Sequence, residues 1–400
     1  MALLFVTRTT RLFAYGFLSL VFVLYLARIG MGGPAIGLLL ALTLLGDAGI
    51  TLWITSRADR VGRKRMLLVG AVLMAAGGVA FLLTRRPELL MLAAIIGVIS
   101  PSGNEIGPFL SIEQAALSEL VGDKERTRIF AWYNLAGSCA TALGALAGGW
   151  LTKFTQQGGM SDLDSYRVLL ACYAVAGVVL AALFTQLSPG VETPPVKSRG
   201  PRNLLLGLHR SRGVVARLSA LFALDAFAGG FILQSVMAYW FHVRFGASIA
   251  ALGSLFFGAN LLAAVSALLA SRIAARIGLV NTMVLTHLPS NVMLVFVPLM
   301  PTMASAMGLL LARYAISQMD VPTRQSYTMS VVAPDERAAA AGVTAIARSL
   351  GAGVAPVIGG AILLSGSGAF FFVAGGLKIA YDLLLYRAFR RAPVREGSSD

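Results

Sequence analysis

Apolar residues fall along this chain in twelve stretches separated by short polar segments, near 12–31, 34–56, 66–84, 89–118, 131–152 and 167–187, then near 218–240, 248–270, 280–299, 303–331, 339–364 and 369–386. A hydrocarbon core about 30 Å thick takes about 20 apolar residues in helical form. Each run is near that length, so the pattern predicts an all-α integral membrane protein with twelve transmembrane helices. Residues 1–187 form an N-terminal six-helix bundle, 188–217 a basic cytoplasmic linker, 218–386 a C-terminal six-helix bundle and 387–400 a cytoplasmic tail. Pro189, Pro194, Pro195 and Pro201 mark the linker as a segment that cannot continue a helix. The first run is too long for the apolar part of a cleaved leader and lacks a small-residue cleavage pattern, so it reads as a retained helix.

Composition sharpens this picture. Of 400 residues 57% are hydrophobic and 13% charged, with mean hydropathy +0.78. A soluble domain carries about 25% charged residues, so a soluble single-core enzyme is excluded. Lys and Arg number 33 against 18 Asp and Glu, a net charge of +15. Twenty-three of the 33 lie in segments on the side of the termini and linker, and five in the opposite loops. The bias places the termini in the cytoplasm, with a bacterial inner (plasma) membrane as the expected location. Dispersed over short loops, this charge offers nucleic acid no basic face. The expected partners are a small-molecule substrate and the lipid bilayer, and the chain is expected to be a monomer. Cys139 and Cys172 sit inside apolar runs as small hydrophobes. His209, His242 and His287 are scattered, so neither a metal site nor a histidine relay is expected. An embedded enzyme would need a nucleophile with its base or a metal constellation, and neither pattern occurs.

The halves repeat. Shifting by 216 residues aligns Arg28 with Arg244, Gly37 with Gly253, Arg60 with Arg276 and Gly62 with Gly278, and shifting by 211 aligns Gln114 with Gln325, Glu125 with Glu336, Arg126 with Arg337 and Ser138 with Ser349. Charged and amide matches in order at corresponding loops mean a duplicated six-helix unit. Parallel repeats with a binding site at their interface describe one class of secondary transporter.

After run 2 stands Ala58-Asp59-Arg60-Val61-Gly62-Arg63-Lys64-Arg65. It resembles the G-x-x-x-D-R-x-G-R-K loop of the major facilitator superfamily, with Thr55 in place of the leading glycine. In run 11, Gly351, Gly353, Pro356, Gly359 and Gly360 resemble the glycine-proline motif of drug/proton antiporters, which those proteins carry in helix 5. Run 5 has Gly144, Gly148 and Gly149 without a proline, and run 4 lacks the antiporters' arginine motif. The resemblance implies two bundles rocking about a midplane site by alternating access. It also implies that Asp59, Arg60, Gly62, Arg63 and Lys64 gate the outward-facing state as a latch; the alternative is that these basic residues only fix topology. Gly144, Gly148, Gly351, Pro356 and Gly359 are expected to set close helix packing.

Charges inside the runs are the sharpest functional signal, because an ionisable group at the bilayer centre costs about 2.5 to 3.5 kcal/mol. Glu105 and Glu113 lie in run 4, Asp225 in run 7, and Arg313, Asp320 and Arg324 in run 10; Asp47 stands alone in run 2. In the superfamily, helices 1, 4, 7 and 10 line the cavity, so these six residues are the expected substrate and proton site. Glu113 aligns with Arg324 in the repeat, and a static ion pair between them is an equal alternative. Lys378 and Asp382, four apart in run 12, read as a local pair. A buried carboxylate that changes solvent access can load and release a proton, so the proton is the expected coupling ion and no other cofactor is implied. The expected function is secondary transport of a small organic solute, as proton-coupled efflux. The alternatives are a symporter importing a polar or anionic metabolite through Arg313 and Arg324, and a transport-inactive solute sensor.

Overall fold

The structure, a computed structural model, describes residues 1–104, 107–192, 208–333, 336–363 and 365–390. In chain order its helices are α1 (Ala2–Arg28), α2 (Gly33–Val61), α3 (Arg63–Leu83), α4 (Pro87–Ile96), α5 (Phe109–Leu120), α6 (Asp123–Gln157), α7 (Asp162–Thr185), α8 (Arg212–Gly230), α9 (Gln234–Phe245), α10 (Ile249–Ile277), α11 (Leu279–Phe296), α12 (Met303–Ser317), α13 (Asp320–Val331), α14 (Arg337–Leu363) and α15 (Ala369–Phe389). Among the described residues ten helical segments, counting the bent Arg212–Phe245 as one, are long and apolar enough to cross a bilayer. Runs 4 and 10 supply the remaining two crossings of the twelve, each as a pair of short helices. The fold is all-α.

Those breaks differ from the continuous helices that hydrophobicity suggested, and each has a chemical cause. In run 4 the helix stops at Ile96, and the chain turns through Gly103 and Gly107, both at positive φ, before Pro108 precedes α5. Non-helical backbone at membrane depth must satisfy its polar groups inside the protein. Here Val98 accepts from the Tyr173 hydroxyl at 2.5 Å and Asn104 from the Ser100 hydroxyl at 2.9 Å. In run 10 the proline ring of Pro322 is incompatible with a helical carbonyl four residues earlier, and the helix is interrupted at Gln318, whose N–H finds Ser266 Oγ at 3.3 Å. Run 7 breaks after Gly229 and Gly230. Helices α6 and α8 start several residues before their apolar runs, at Asp123 and Arg212. Hydropathy marks where lipid begins, whereas a helix can project beyond it.

The contacts divide the chain into two compact units. The first comprises Met1–Lys197, Leu233–Asn260 and Val357–Gly366, and the second Ser198–Ile232, Leu261–Pro356 and Ser367–Asp400. The core of the first is α1, buried without interruption from Ala14 to Leu26. It presses on α6 where Gly144 has no side chain: a Cβ there would lie 2.0 Å from the Phe13 carbonyl oxygen, and one at Gly148 would meet Phe17. In the second unit Gly351 of α14 meets the Ala223 carbonyl of α8 in the same way. Pro356 lies inside α14 and Gly359 is buried.

Candidate transport site

Four helices of the second unit each bury one stripe at helical spacing: Leu218, Phe222 and Asp225 on α8; Met283, Val284, His287 and Asn291 on α11; Asp320, Arg324 and Tyr327 on α13; Lys378, Tyr381, Asp382, Leu385 and Phe389 on α15. The apolar members form one cluster. The polar members form a network. Asp225 Oδ1 takes Lys378 Nζ at 2.5 Å and Oδ2 takes Arg324 Nη1 at 2.9 Å, while Arg324 Nη2 lies 3.6 Å from Asp320. His287 Nδ1 is 2.8 Å from Asp382 Oδ1, and Asn291 Nδ2 donates to Asp382 Oδ2 at 2.8 Å. His287 Nε2 lies 4.0 Å from Asp225. The local Lys378–Asp382 pair is therefore corrected: both side chains point across the unit, to α8 and to α11. His287, which its sequence neighbourhood does not mark, sits between two carboxylates. Arg313 is buried with its Nε unpartnered and its guanidinium 5.2 Å from the Tyr314 ring; Arg348 Nε is unpartnered as well.

Glu113 is placed differently from the pairing with Arg324 that the repeat suggested. Its carboxylate lies in the first unit and takes Arg11 Nη1 at 3.1 Å and Nη2 at 2.8 Å, the Thr7 hydroxyl at 2.9 Å and the Tyr133 hydroxyl at 2.5 Å. Arg11 and Glu113 are both 0% exposed. Its place near the N-terminus marks Arg11 as a topology-setting charge, but α1 begins at Ala2 and buries Arg11 inside the protein. The same unit holds a polar trio that hydrophobicity conceals. Gln234, at the start of α9, donates to Ser19 Oγ at 2.7 Å and accepts from Asn260 at 3.3 Å.

Of the remaining expected site residues, Glu105 lies outside the described residues, as does the side chain of Asp59, whose backbone ends α2 with exposed Arg60. Gly62 turns the chain at φ 112°, and the next helix is capped from a distance: Glu192 accepts from the backbone N–H of Arg63 at 2.7 Å and of Lys64 at 3.1 Å. Lys64 Nζ donates to the carbonyls of Thr185 and Leu187. A carboxylate at a helix N-terminus is favoured by the dipole and by otherwise unpaired N–H groups. Glu336 repeats the device in the second unit, accepting from the N–H of His209, of Arg210 at 2.7 Å and of Ser211 at 2.9 Å, just before α8. Burial opposes its ionisation, but these hydrogen bonds prevail and hold its carboxyl well below the usual glutamate value.

Twelve crossings, broken helices on runs 4, 7 and 10, and buried charge at those same runs define a membrane carrier. Residues 4–356 match the Major Facilitator Superfamily, and the chain belongs to that family. It is 30% identical to the uncharacterized membrane protein YJR124C of Saccharomyces cerevisiae, over 94% of this chain and 90% of the yeast protein. It is 28% identical to the multidrug resistance protein MdtH of Proteus mirabilis over 41% of this chain and 37% of that protein. Its fold matches a bacterial homolog of the human lysosomal transporter Spinster in an inward-facing state (TM-score 0.75, 14% identity, 97% and 96% covered) and a D-xylose–proton symporter (TM-score 0.73, 16% identity, 99% and 98% covered). The chain is thus an integral membrane transporter of small molecules by family.

Proposed function

We propose that this transporter moves a small organic solute by alternating access in exchange for protons, with export as its direction and both termini in the cytoplasm. One observation carries the reading: Asp225 lies in a buried network that also holds His287, Asp320 and Asp382. A carboxylate whose access to water changes can bind and release a proton. Export is supported by the loop after α2 and by the partial similarity to MdtH. Asp225, Asp320 and Arg324 form the core of the site, with Arg313 beside it, and Glu105 is a further acid of the site. Asp59, Arg60, Gly62, Arg63 and Lys64 act as its cytoplasmic latch.

A second reading, proton symport of an anionic metabolite inward, is favoured by the unpartnered Nε atoms of Arg313 and Arg348. A thermal-shift screen of purified protein against a solute library at two pH values supplies the ligand. Vesicles with a pH-sensitive dye then report proton movement when that solute is added. Opposed solute and proton fluxes support export, parallel fluxes support the symporter, and solute flux without proton flux overturns both. Binding without counterflow identifies a sensor.

A further inference from the structure

The second unit's network shares its cations unevenly. Lys378 pairs with Asp225, and Arg324 pairs with both Asp225 and Asp320. Asp382 is fully buried, and its recorded partners are the imidazole of His287 and the amide of Asn291. An ionised carboxylate buried without a cation is strongly unfavourable. The 2.8 Å approach of His287 Nδ1 to Asp382 Oδ1 also requires a hydrogen between the two atoms. An added proton on this pair offsets the charge of Asp382, and with the imidazole charged its other nitrogen faces Asp225 at 4.0 Å. The surroundings of the ring hold few further titrating groups. Tyr381 sets its ring edge-on to His287 at 5.9 Å, and Arg313 and Arg348 lie beyond, within electrostatic reach of Asp225 and Asp320.

We propose that the coupling proton is held by the His287–Asp382 pair, away from the helices expected to line the cavity, and that it selects the partner of Lys378. The inference rests on the proton-coupled reading above. With the proton in place Asp382 is neutralised by His287, and Lys378 is committed to Asp225, as observed. When water reaches the pair and the proton leaves, Asp382 becomes an unmatched anion one helical turn from Lys378 on α15. Residues four apart on a helix are neighbours, so Lys378 turns to Asp382 and releases Asp225 to Arg324 alone. The link between α8 and α15 is then broken and a link within α15 made. The local pair read from the sequence and the long-range pair in the structure are the two positions of one switch. Protonation thereby biases a two-state element joining four helices.

The chain has three histidines, so nitrogen-15 histidine NMR of the protein in vesicles is assignable from the signal lost in His287→Gln. We expect that signal to shift in Asp382→Asn, which removes the carboxylate held 2.8 Å from the ring. A His287 resonance that ignores Asp382→Asn overturns the proposal. The transport readout uses the solute found by the screen. In His287→Gln and in Asp382→Asn the proton flux per solute falls by about tenfold or more, within the range of ordinary coupling between linked sites. Retained proton coupling in both folded variants overturns this assignment and leaves the proposed function standing. Absence of proton flux in the wild type overturns that function itself.

Discussion

At positions made equivalent by the 211-residue repeat, both units bury a charge, with the signs exchanged. In the first unit α5 supplies the acid Glu113 and α1 the arginine, Arg11; in the second α13 supplies Arg324 and α8 the acid, Asp225. The surroundings make these different objects. Both oxygens of Glu113 are saturated by one guanidinium and two hydroxyls, and no histidine joins them. Asp225 shares Arg324 with Asp320, touches Lys378 from a fourth helix and faces a histidine tied to a further acid. Burial of charge alone therefore does not mark a working site. A saturated pair holds one arrangement, whereas a network that includes an imidazole beside a buried acid has somewhere to put a proton.

The comparison breaks most visibly through its tightest pair. Glu113→Gln removes the carboxylate that Arg11 meets at 2.8 Å, and we expect about 5 kcal/mol of stability to be lost, the upper part of the range for breaking a buried ion pair. Denaturant unfolding in detergent measures it. The double variant Arg11→Met with Glu113→Leu should recover most of that loss, because apolar replacement of a whole buried pair is often near neutral, and it should retain transport. If the double variant folds but no longer transports, the first cluster is functional and the contrast collapses.

Asp225→Asn is expected to cost less, about 3 kcal/mol, because Arg324 keeps Asp320. Its solute flux in vesicles should nevertheless fall to background, and adding Lys378→Met should restore folding without restoring flux.

The paired helix caps extend the contrast outside the membrane. Glu336 has its carboxyl lowered below its ordinary 4.5, so its stabilising effect is complete above that value and is lost as pH falls below it. Melting temperatures of wild type and Glu336→Gln should converge on acidification and separate above pH 4.5. Smallest is Glu192→Gln, with loss of about 1 kcal/mol from the start of α3 and a matching shift in unfolding midpoint. Equal pH profiles for the two cap variants would show that the units are stabilised alike at this edge.

Much of the fold was legible because lipid imposes a length on every crossing, and twelve runs yield twelve crossings. The breaks in runs 4 and 10 were less so: Pro108 and Pro322 announce distortion, but where the chain leaves the helix depends on which neighbour accepts the freed backbone groups. Among site residues, Asp225, Asp320 and Arg324 stand out because charge in an apolar run is conspicuous. Their partners were harder to find. Spacing along one helix suggested Lys378 with Asp382, and the repeat suggested Glu113 with Arg324, but spacing carries no information about which helix lies opposite. Arg11 was hidden by its position near the terminus, where arginine ordinarily faces solvent, and His287 by isolation from the other histidines.

The polarity of α13 also bears on how the chain is made. A segment carrying Asp320, Arg324 and two threonines gains little from entering lipid unaided. By the time it leaves the ribosome, α8 has been synthesised nearly a hundred residues earlier and holds Asp225, the group that Arg324 requires. Order of synthesis thus delivers the receptor before the segment whose charge it meets.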